Sequence, residues 1–274
     1  MRIGLITPEP GHPLLAGAAA LLTPRHRVEV LDPGTAPGVP GPPADVYLLK
    51  SRTPRALELA RELERRGAAV VNSAAATARC QDRTEMAELA VRAGLPFAAT
   101  RTHASLSAWA AEESLDSPVV VKSRRSRRGD LVARVDTPGE LAELARAWPR
   151  EPVVVQAFTP NSGWDHKLWA IGGRVFAARR RSELSPDGRG PNLPLPRLPS
   201  AWTDLTLRVG EAFGLDVYGV DIIESGDGGA PLIVDVNAFP GVRGQAGAPE
   251  ALASLTLRRA GPPSVPAPRD GTDS

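Results

Sequence analysis

Two apolar runs near the C-terminal end of the chain are separated by a short polar turn, which is the pattern of a β-hairpin. The runs are Gly219–Ile223 and Leu232–Gly241, and the turn between them is Ser225–Gly229. Serine, glycine and aspartate between two runs of strand character are a strong hairpin signal. Each run carries an acid where an apolar residue is expected, Asp221 in the first and Asp235 in the second. These acids indicate a polar site on an otherwise apolar hairpin.

The acids and a nearby amide are suited to holding a metal ion. Side chains alternate between the two faces of a strand, so Asp235 and Asn237 point the same way, and a hairpin partner can bring Asp221 beside them. Two carboxylates and one amide oxygen form a hard-oxygen site suited to Mg²⁺, with Mn²⁺ as the alternative. Because Mg²⁺ bound in this way usually keeps substrate phosphates as further ligands, the hairpin predicts nucleotide chemistry.

The length and composition of the chain limit the class of protein. The chain has 274 residues, of which 42% are hydrophobic, enough for one large domain or two to three small ones with a substantial core. No apolar run approaches the length of a membrane span, so no membrane partner is expected. The start, Met1–Thr7, predicts a first strand rather than a secretory leader. A single cysteine, Cys80, gives neither a disulfide framework nor a cysteine metal cluster, and a cytoplasmic setting is the default expectation.

The first quarter of the chain alternates strands and helices. Strands are predicted at residues 3–7, 27–31, 45–50 and 68–71, and helices at 13–22 and 54–66. The second helix is clearly delimited, with Thr53 as N-cap and Pro54 at the first helical position. Such alternation predicts a parallel sheet with helical crossovers. The remainder mixes capped helices with hairpins, and a proline-rich segment at 182–200 is expected to be a functional loop or lid.

A lysine and a basic loop form the next candidate site. Lys122 ends an apolar strand and precedes Ser123–Gly129, which contains four arginines. A lysine in this position can reach a phosphate as a point charge, and a solvated turn is the equal alternative. Basic runs also bind nucleic acid, but no aromatic residues are interleaved here, so nucleic acid is not the expected partner.

Three arginines end a later strand. Alternation sends Arg179 and Arg181 to one face and Arg180 to the other. At least one could face a phosphate, because guanidinium matches oxyanions well, and a surface charge run is the alternative.

The order of these motifs is more specific than any one of them, and it resembles the ATP-grasp superfamily, in particular its RimK-like glutamate-ligase type. The resemblance runs from about Asn72 to Leu257 and includes the entry segments Asp82–Met86 and Ala93–Pro96. It implies an ATP-grasp fold, of combined α/β and α+β class, behind an N-terminal parallel-sheet domain. The implied division is 1–77 for that first domain and 78–155 and 156–259 for the two ATP-grasp subdomains. Residues 260–274, rich in proline and small polar residues, are expected to be a disordered tail.

The resemblance also implies roles for single residues. ATP would lie between the two subdomains, with adenine read by main-chain groups after the Gln156 strand, and Arg181 would stabilise the transferring phosphoryl group together with Lys122. The implied ATP-binding residues are Arg83, Lys122, Gln156, Ala157, Phe158 and, near the ribose, Asp165. The implied Mg²⁺ ligands are Asp221, Asp235 and Asn237, and the expected substrate-binding residues are Lys50, Lys167 and Arg243.

The expected activity is ATP-dependent ligation of a small-molecule or peptide carboxylate to an amine through an acyl phosphate. Three departures keep alternatives open: Asp235 stands where these ligases usually have Glu, Arg83 where they have Lys, and the phosphate loop is rich in arginine. The sequence also resembles ATP-grasp inositol-polyphosphate kinases, in which Asp at that position is normal. A non-catalytic ATP- or polyanion-binding protein is the third alternative, and a homo-oligomer is left open.

Overall fold

The computed structural model describes residues 1–39, 41–112, 115–127, 129–185, 188, 190–195, 197–226 and 229–261. Within these residues the strands form three sheets, of four, five and four strands. The chain builds the sheets nearly in sequence order, and its last helix returns to the first sheet.

The N-terminal sheet is parallel, as the strand–helix alternation predicts, with strand order β2-β1-β3-β4. Thr53 caps the second helix by accepting a hydrogen bond from the Ala56 N–H at 3.2 Å, with Pro54 at the first helical position. The elements of this part are β1 (Arg2–Ile6), α1 (Pro13–Leu22), β2 (Arg27–Leu31), β3 (Val46–Leu49), α2 (Pro54–Arg65), β4 (Ala69–Val71) and α3 (Ala74–Arg79).

The middle of the chain forms an antiparallel sheet of order β5-β8-β6-β7. Two helices cover one side of it, and Trp109 and Val121 are buried between these layers. Thr137 and Glu140 form a reciprocal capping box at the start of the second of these helices. The elements are α4 (Arg83–Arg92), β5 (Thr100–His103), α5 (Leu106–Glu112), β6 (Val119–Ser123), β7 (Val132–Val135), α6 (Pro138–Ala147) and β8 (Val153–Ala157).

The C-terminal sheet has the order β11-β10-β9-β12-β13 and is antiparallel. One face packs on α7 through Leu168 and Val220, and the other packs on α1 and α8 through Trp169 and Phe239. The elements are β9 (Trp164–Ile171), β10 (Arg174–Arg181), β11 (Leu193–Pro194), α7 (Ser200–Phe213), β12 (Val217–Ser225), β13 (Ala230–Ala238) and α8 (Ala248–Arg259).

Hydrogen bonds join the sheets to one another, among them those of the segment 96–98 and of Asn72. The segment 96–98 runs beside β13, where Ala98 N–H donates to Ile233 O at 2.9 Å and Ile233 N–H donates to Pro96 O at 2.8 Å. Asn72, which follows β4, is buried and exchanges three hydrogen bonds of 2.6–2.9 Å with the backbone of Asp216 and Val217. These hydrogen bonds fix both the segment before the middle sheet and the end of the N-terminal sheet to the C-terminal sheet, which forms one wall of the cleft.

The structure corrects several sequence-based boundaries. The elements α3, β5 and α5 are not among the sequence predictions. The predicted hairpin is confirmed at β12 and β13, although residues 227–228 of its turn lie outside the described residues. The predicted tail lies outside them from residue 262 onward, and the division at residues 77 and 155 stays a prediction. None of the helices in the described ranges is long and apolar enough to cross a membrane.

Candidate functional site

Five charged side chains form one row across four neighbouring strands of the C-terminal sheet. Strand register places Arg180 opposite Asp165, Lys167 opposite Asp221, and Asp221 opposite Asp235. Asp165 and Lys167 are two residues apart on β9, so all five point to the same face. The row continues the face on which Trp169 and Phe239 pack, and we call it the charged row: Arg180, Asp165, Lys167, Asp221 and Asp235.

A cavity of about 230 Å³ lies between the charged row and the middle sheet. It brings together nine residues that the sequence predicts for ATP, substrate or metal. These are Arg83, Lys122, Gln156, Ala157, Phe158, Asp165, Lys167, Asp221 and Asp235. Four further predicted residues, Lys50, Arg181, Asn237 and Arg243, are not among the residues that line it.

Two cations reach the charged row from the middle part of the chain. Lys122 is buried at the end of β6, and its ammonium donates to Val234 O of β13 at 2.8 Å. Burial lowers the pKa of Lys122, and the nearby Asp235 carboxylate opposes that effect. Arg83 donates to Asp130 Oδ2 at 2.7 Å, and its guanidinium lies 3.7 Å from Asp235 Oδ2. Both cations therefore stand beside the acids at one end of the cavity.

The predicted metal ligands form a partly unsatisfied acidic site. Asp235 Oδ1 is buried without a hydrogen-bond partner among the described residues, and Asn237 Nδ2 lies 3.4 Å from Asp235 Oδ2. Burial raises the pKa of Asp221; the ammonium of Lys167 opposes this, and Asp235 adds to it. The described residues contain no cluster of three or more His, Cys, Asp or Glu side chains with metal-binding geometry. Two carboxylates, one of which has an oxygen without a hydrogen-bond partner, and one amide oxygen fit a hard cation whose other ligands come from a substrate.

Arg181, the arginine predicted to face the site, is not among the residues that line the cavity, and its role stays a prediction. Its guanidinium lies 4.4 Å from the ring centre of Trp164, and Arg179 stacks on the same ring at 4.8 Å. These side chains share the sheet face of His166, which packs against Trp202 of α7. Because side chains alternate along β10, Arg180 points to the opposite face, toward the cleft, and it is buried beside the cavity. The sequence shows that Arg180 and Arg181 lie on opposite faces, but which face meets the cleft depends on the register of β10 with β9.

At the opposite end of the cavity the adenine contacts stay predictions, and one main-chain donor there already has a partner. The N–H of Phe158 already donates to Pro118 O at 2.9 Å, so that donor cannot also read an adenine ring. Gln156 donates through its side chain to Thr100 Oγ1 at 3.0 Å. Sequence analysis also missed Arg134, whose guanidinium lies 3.8 Å from the Phe158 ring centre and lines the cavity. The sequence does contain a signal for Arg134: it is two residues from Val132 on β7, so both side chains point to the same face.

Lys50 and Arg243 lie in a second basic cluster outside the cavity. Lys50 follows β3 at the carboxyl edge of the parallel sheet and donates to Phe239 O at 2.9 Å. Burial first, then Arg52 and Arg243, lower its pKa to about 8, against the opposing charge of Glu9. The same two cations, Lys50 and Arg243, act with burial to lower the pKa of His12. Lys167, in contrast, lies in the charged row with the acids, which separates it from the other two predicted substrate-binding residues.

The basic loop is anchored by acids, although its arginines stay partly exposed. The carboxylate of Asp82 is fully buried and pairs with Arg124 at 2.9 Å and with Arg125 at 3.1 Å. Arg127 pairs with Glu151 at 2.8 Å, and Arg128 lies outside the described residues. Asp82 therefore combines two tasks, because it also caps α4 by accepting from the Thr84 N–H at 3.0 Å. Only the capping task is visible in the sequence.

The chain belongs to the RimK-like ATP-grasp family: the family's sequence pattern, described as the RimK-like ATP-grasp domain, matches residues 81–248, more than half of the chain. A relative from Hahella chejuensis (strain KCTC 2396), named "Probable alpha-L-glutamate ligase 2", is 28% identical over 194 residues. That match covers 67% of this chain and 63% of the relative, so the chain spans less than two thirds of that protein's length.

Solved structures show the same fold. The RimK domain ATP-grasp protein from Sphaerobacter thermophilus DSM 20745 superposes with a TM-score of 0.74 and 24% identity, covering 94% of this chain and 100% of that one. The ATP-grasp ligase PsnB, in a complex with minimal precursor, Mg and ADP, has a TM-score of 0.69 and 18% identity. That superposition covers 94% of this chain and 97% of PsnB. The ATP-grasp fold expected from the sequence is therefore confirmed.

Proposed function

We propose that this protein is an ATP-dependent ligase that joins a carboxylate to an amine through an acyl phosphate. The observation that carries the proposal is the end of the cavity where Lys122 and Lys167 stand beside Asp221 and Asp235. Buried cations next to paired hard-oxygen acids are what transfer of a phosphoryl group from a nucleotide requires. The family membership and the glutamate-ligase name of the relative support this choice.

Asp221, Asp235 and Asn237 would hold Mg²⁺, with Mn²⁺ as a second candidate metal. When bound, such an ion neutralises charge on the nucleotide phosphates and orients them. These residues fit such an ion. Asp235 Oδ1, which is buried without a hydrogen-bond partner among the described residues, would be a ligand, and phosphate oxygens would complete the coordination.

The chain's own cations would act on the phosphoryl group as it moves. The bond between the terminal phosphorus and the ADP oxygen breaks while a bond from phosphorus to the acceptor carboxylate forms. Lys122 and Lys167 offset the negative charge in this step. The amine nitrogen then attacks the acyl carbon and loses a proton, and inorganic phosphate leaves. The partly enclosed cavity limits the access of water, which otherwise hydrolyses the acyl phosphate.

The second basic cluster would bind the acceptor. Lys50 and Arg243 approach each other across the junction between the parallel sheet and the segment after β13, and the charge of Arg243 helps to lower the pKa of Lys50. Glu9 opposes the positive charge at Lys50, but Arg52 and Arg243 add to it, and this excess of cations favours an anionic ligand. The acceptor class is therefore an anionic small molecule or peptide, and L-glutamate is the first amine to test because of the relative's name.

A phosphate-release assay tests the proposal. The protein is incubated with ATP, Mg²⁺, L-glutamate and pooled amino acids or peptides as carboxylates. We expect release of phosphate that needs both an acid and an amine, and Asp235→Asn should lower it at least about 100-fold. The matched control is Asp216→Asn, because Asp216 pairs with Arg259 at 2.6 Å away from the cavity and should retain the rate.

Other outcomes contradict the ligase. A phosphorylated acceptor with ADP and no free phosphate would establish the kinase alternative, for which inositol phosphates belong in the pools. Binding of ATP without turnover over all pools would favour the non-catalytic alternative.

A further inference from the structure

Asp165 lines the cavity and lies between two cations, Lys167 and Arg180. Its Oδ2 atom lies 3.9 Å from the Lys167 ammonium and 3.8 Å from Arg180 Nε. The side chains of all three are nearly buried, with 13% of Asp165 and 9% of each cation exposed. The same oxygen therefore faces two positive charges in a site from which most water is excluded.

The arrangement follows from the strand register. Arg180 pairs directly across from Asp165, while Lys167 lies two residues along β9 and bonds to Asp221 across the other neighbouring strand. Without a negative charge between them, the two cations would repel each other at low dielectric, and Lys167 would be held only by Asp221. Arg180 does not line the cavity, whereas Asp165 and Lys167 do.

We propose that Asp165 is a positioning residue that, backed by Arg180, holds the Lys167 ammonium at the phosphate end of the nucleotide site and does not read the nucleotide sugar. The proposal rests on the proposed function, because it takes the cavity to hold a nucleoside triphosphate. Lys167 is the group that meets the phosphates, and Asp165 acts through it. The family resemblance instead implies a ribose contact at Asp165, so the two roles predict different ligand dependence.

Calorimetric titration of the full chain separates these roles without relying on turnover. Wild type and Asp165→Asn are titrated, with Mg²⁺ present, with AMP-PNP and with AMP. We expect Asp165→Asn to weaken AMP-PNP binding about tenfold or more and to leave AMP binding within about twofold, since only the triphosphate reaches Lys167. Lys167→Gln should give the same selective loss, and Asp216→Asn should change neither affinity.

Equal weakening of AMP and AMP-PNP by Asp165→Asn would overturn the proposal. The proposal would also fail if wild type bound 2′-deoxy-ATP more weakly than ATP and Asp165→Asn bound the two equally. Both results would place Asp165 at the ribose. Unchanged AMP-PNP binding overturns it as well. If Asp165→Asn does not fold, as judged by its thermal transition, Lys167→Gln decides on the same criterion. Wild type that binds no nucleotide would refute the proposed function itself, and the inference with it.

Discussion

Strand parity separates the three consecutive arginines at the end of β10, and the separation has a functional consequence. Arg180 faces Asp165 on the cleft side, whereas Arg181 covers Trp164 on the opposite face. We expect Arg180→Gln to lower the ligase kcat about tenfold or more through loss of the charge behind Asp165, and Arg181→Gln to stay within about twofold. Steady-state kinetics on the two variants measures this, and equal losses would show that the sheet face does not determine the effect.

Lys50 gives the site a pH dependence whose sign follows from its burial. Its pKa is lowered to about 8, so the ammonium is present at pH 7 and is lost as the pH rises through about 8. Because the proposed acceptor is an anion, its KM should rise between pH 7 and 9 while the KM for ATP changes little. Lys50→Met should raise the acceptor KM at pH 7 and remove the pH trend. A trend that persists in this variant would assign it to another group.

The lowered pKa of Lys50 also makes the free energy of unfolding depend on pH. The unfolded lysine keeps its ordinary pKa, so between pH 8 and 10 the unfolded state binds more protons than the folded one. The contribution of Lys50 to the free energy of unfolding therefore rises with pH in this window, while acceptor binding weakens. One side chain thus moves stability and function in opposite directions.

At the scale of elements, the basic loop and α4 share one anchor. Asp82→Asn keeps an acceptor for the Thr84 N–H but removes the charge that holds Arg124 and Arg125. Both arginines are partly exposed, so water screens the pairs, and we expect a loss of about 1–2 kcal/mol in the free energy of unfolding. Freed from Asp82, the loop should also be cut faster by trypsin. Timed proteolysis checks this, and unchanged cleavage between residues 123 and 129 would contradict the anchoring.

The elements also show what the sequence can and cannot specify. The strands around Lys122, Asp221 and Asp235 were predictable because each combines an apolar run with one misplaced charge, and local alternation fixes the face. β5 was missed because Thr100–His103 is a polar edge strand without an apolar pattern. The pairings of Asp82 with Arg124 and of Asp165 with Arg180 join residues far apart in sequence, and their meeting depends on sheet register. Charges could be located from the sequence, but their partners could not.

At the scale of the whole molecule, one buried amide joins the first sheet to the last. Asn72 Nδ2 donates to Val217 O at 2.6 Å, while its Oδ1 accepts from the N–H groups of Asp216 and Val217 at 2.8 and 2.9 Å. The strand that begins there, β12, carries Asp221, so the hydrogen bonds of Asn72 fix the register between the parallel sheet with Lys50 and the charged row.

Removing this amide should therefore affect stability and the coupling of the two sites together. Asn72→Ala leaves the N–H groups of Asp216 and Val217 without this acceptor, whereas Val217 O keeps the Phe239 N–H, and we expect the free energy of unfolding to fall by about 2–4 kcal/mol. Urea unfolding measures the loss, with Asn192→Ala as the matched control, because Asn192 is exposed and should change stability by less than about 0.5 kcal/mol. Asn72→Asp keeps the acceptor oxygens and loses the donor to Val217 O, so the loss should differ from that of the alanine variant. If Asn72→Ala unfolds at the wild-type urea concentration, the junction is held by the packing of α8 on α1 instead.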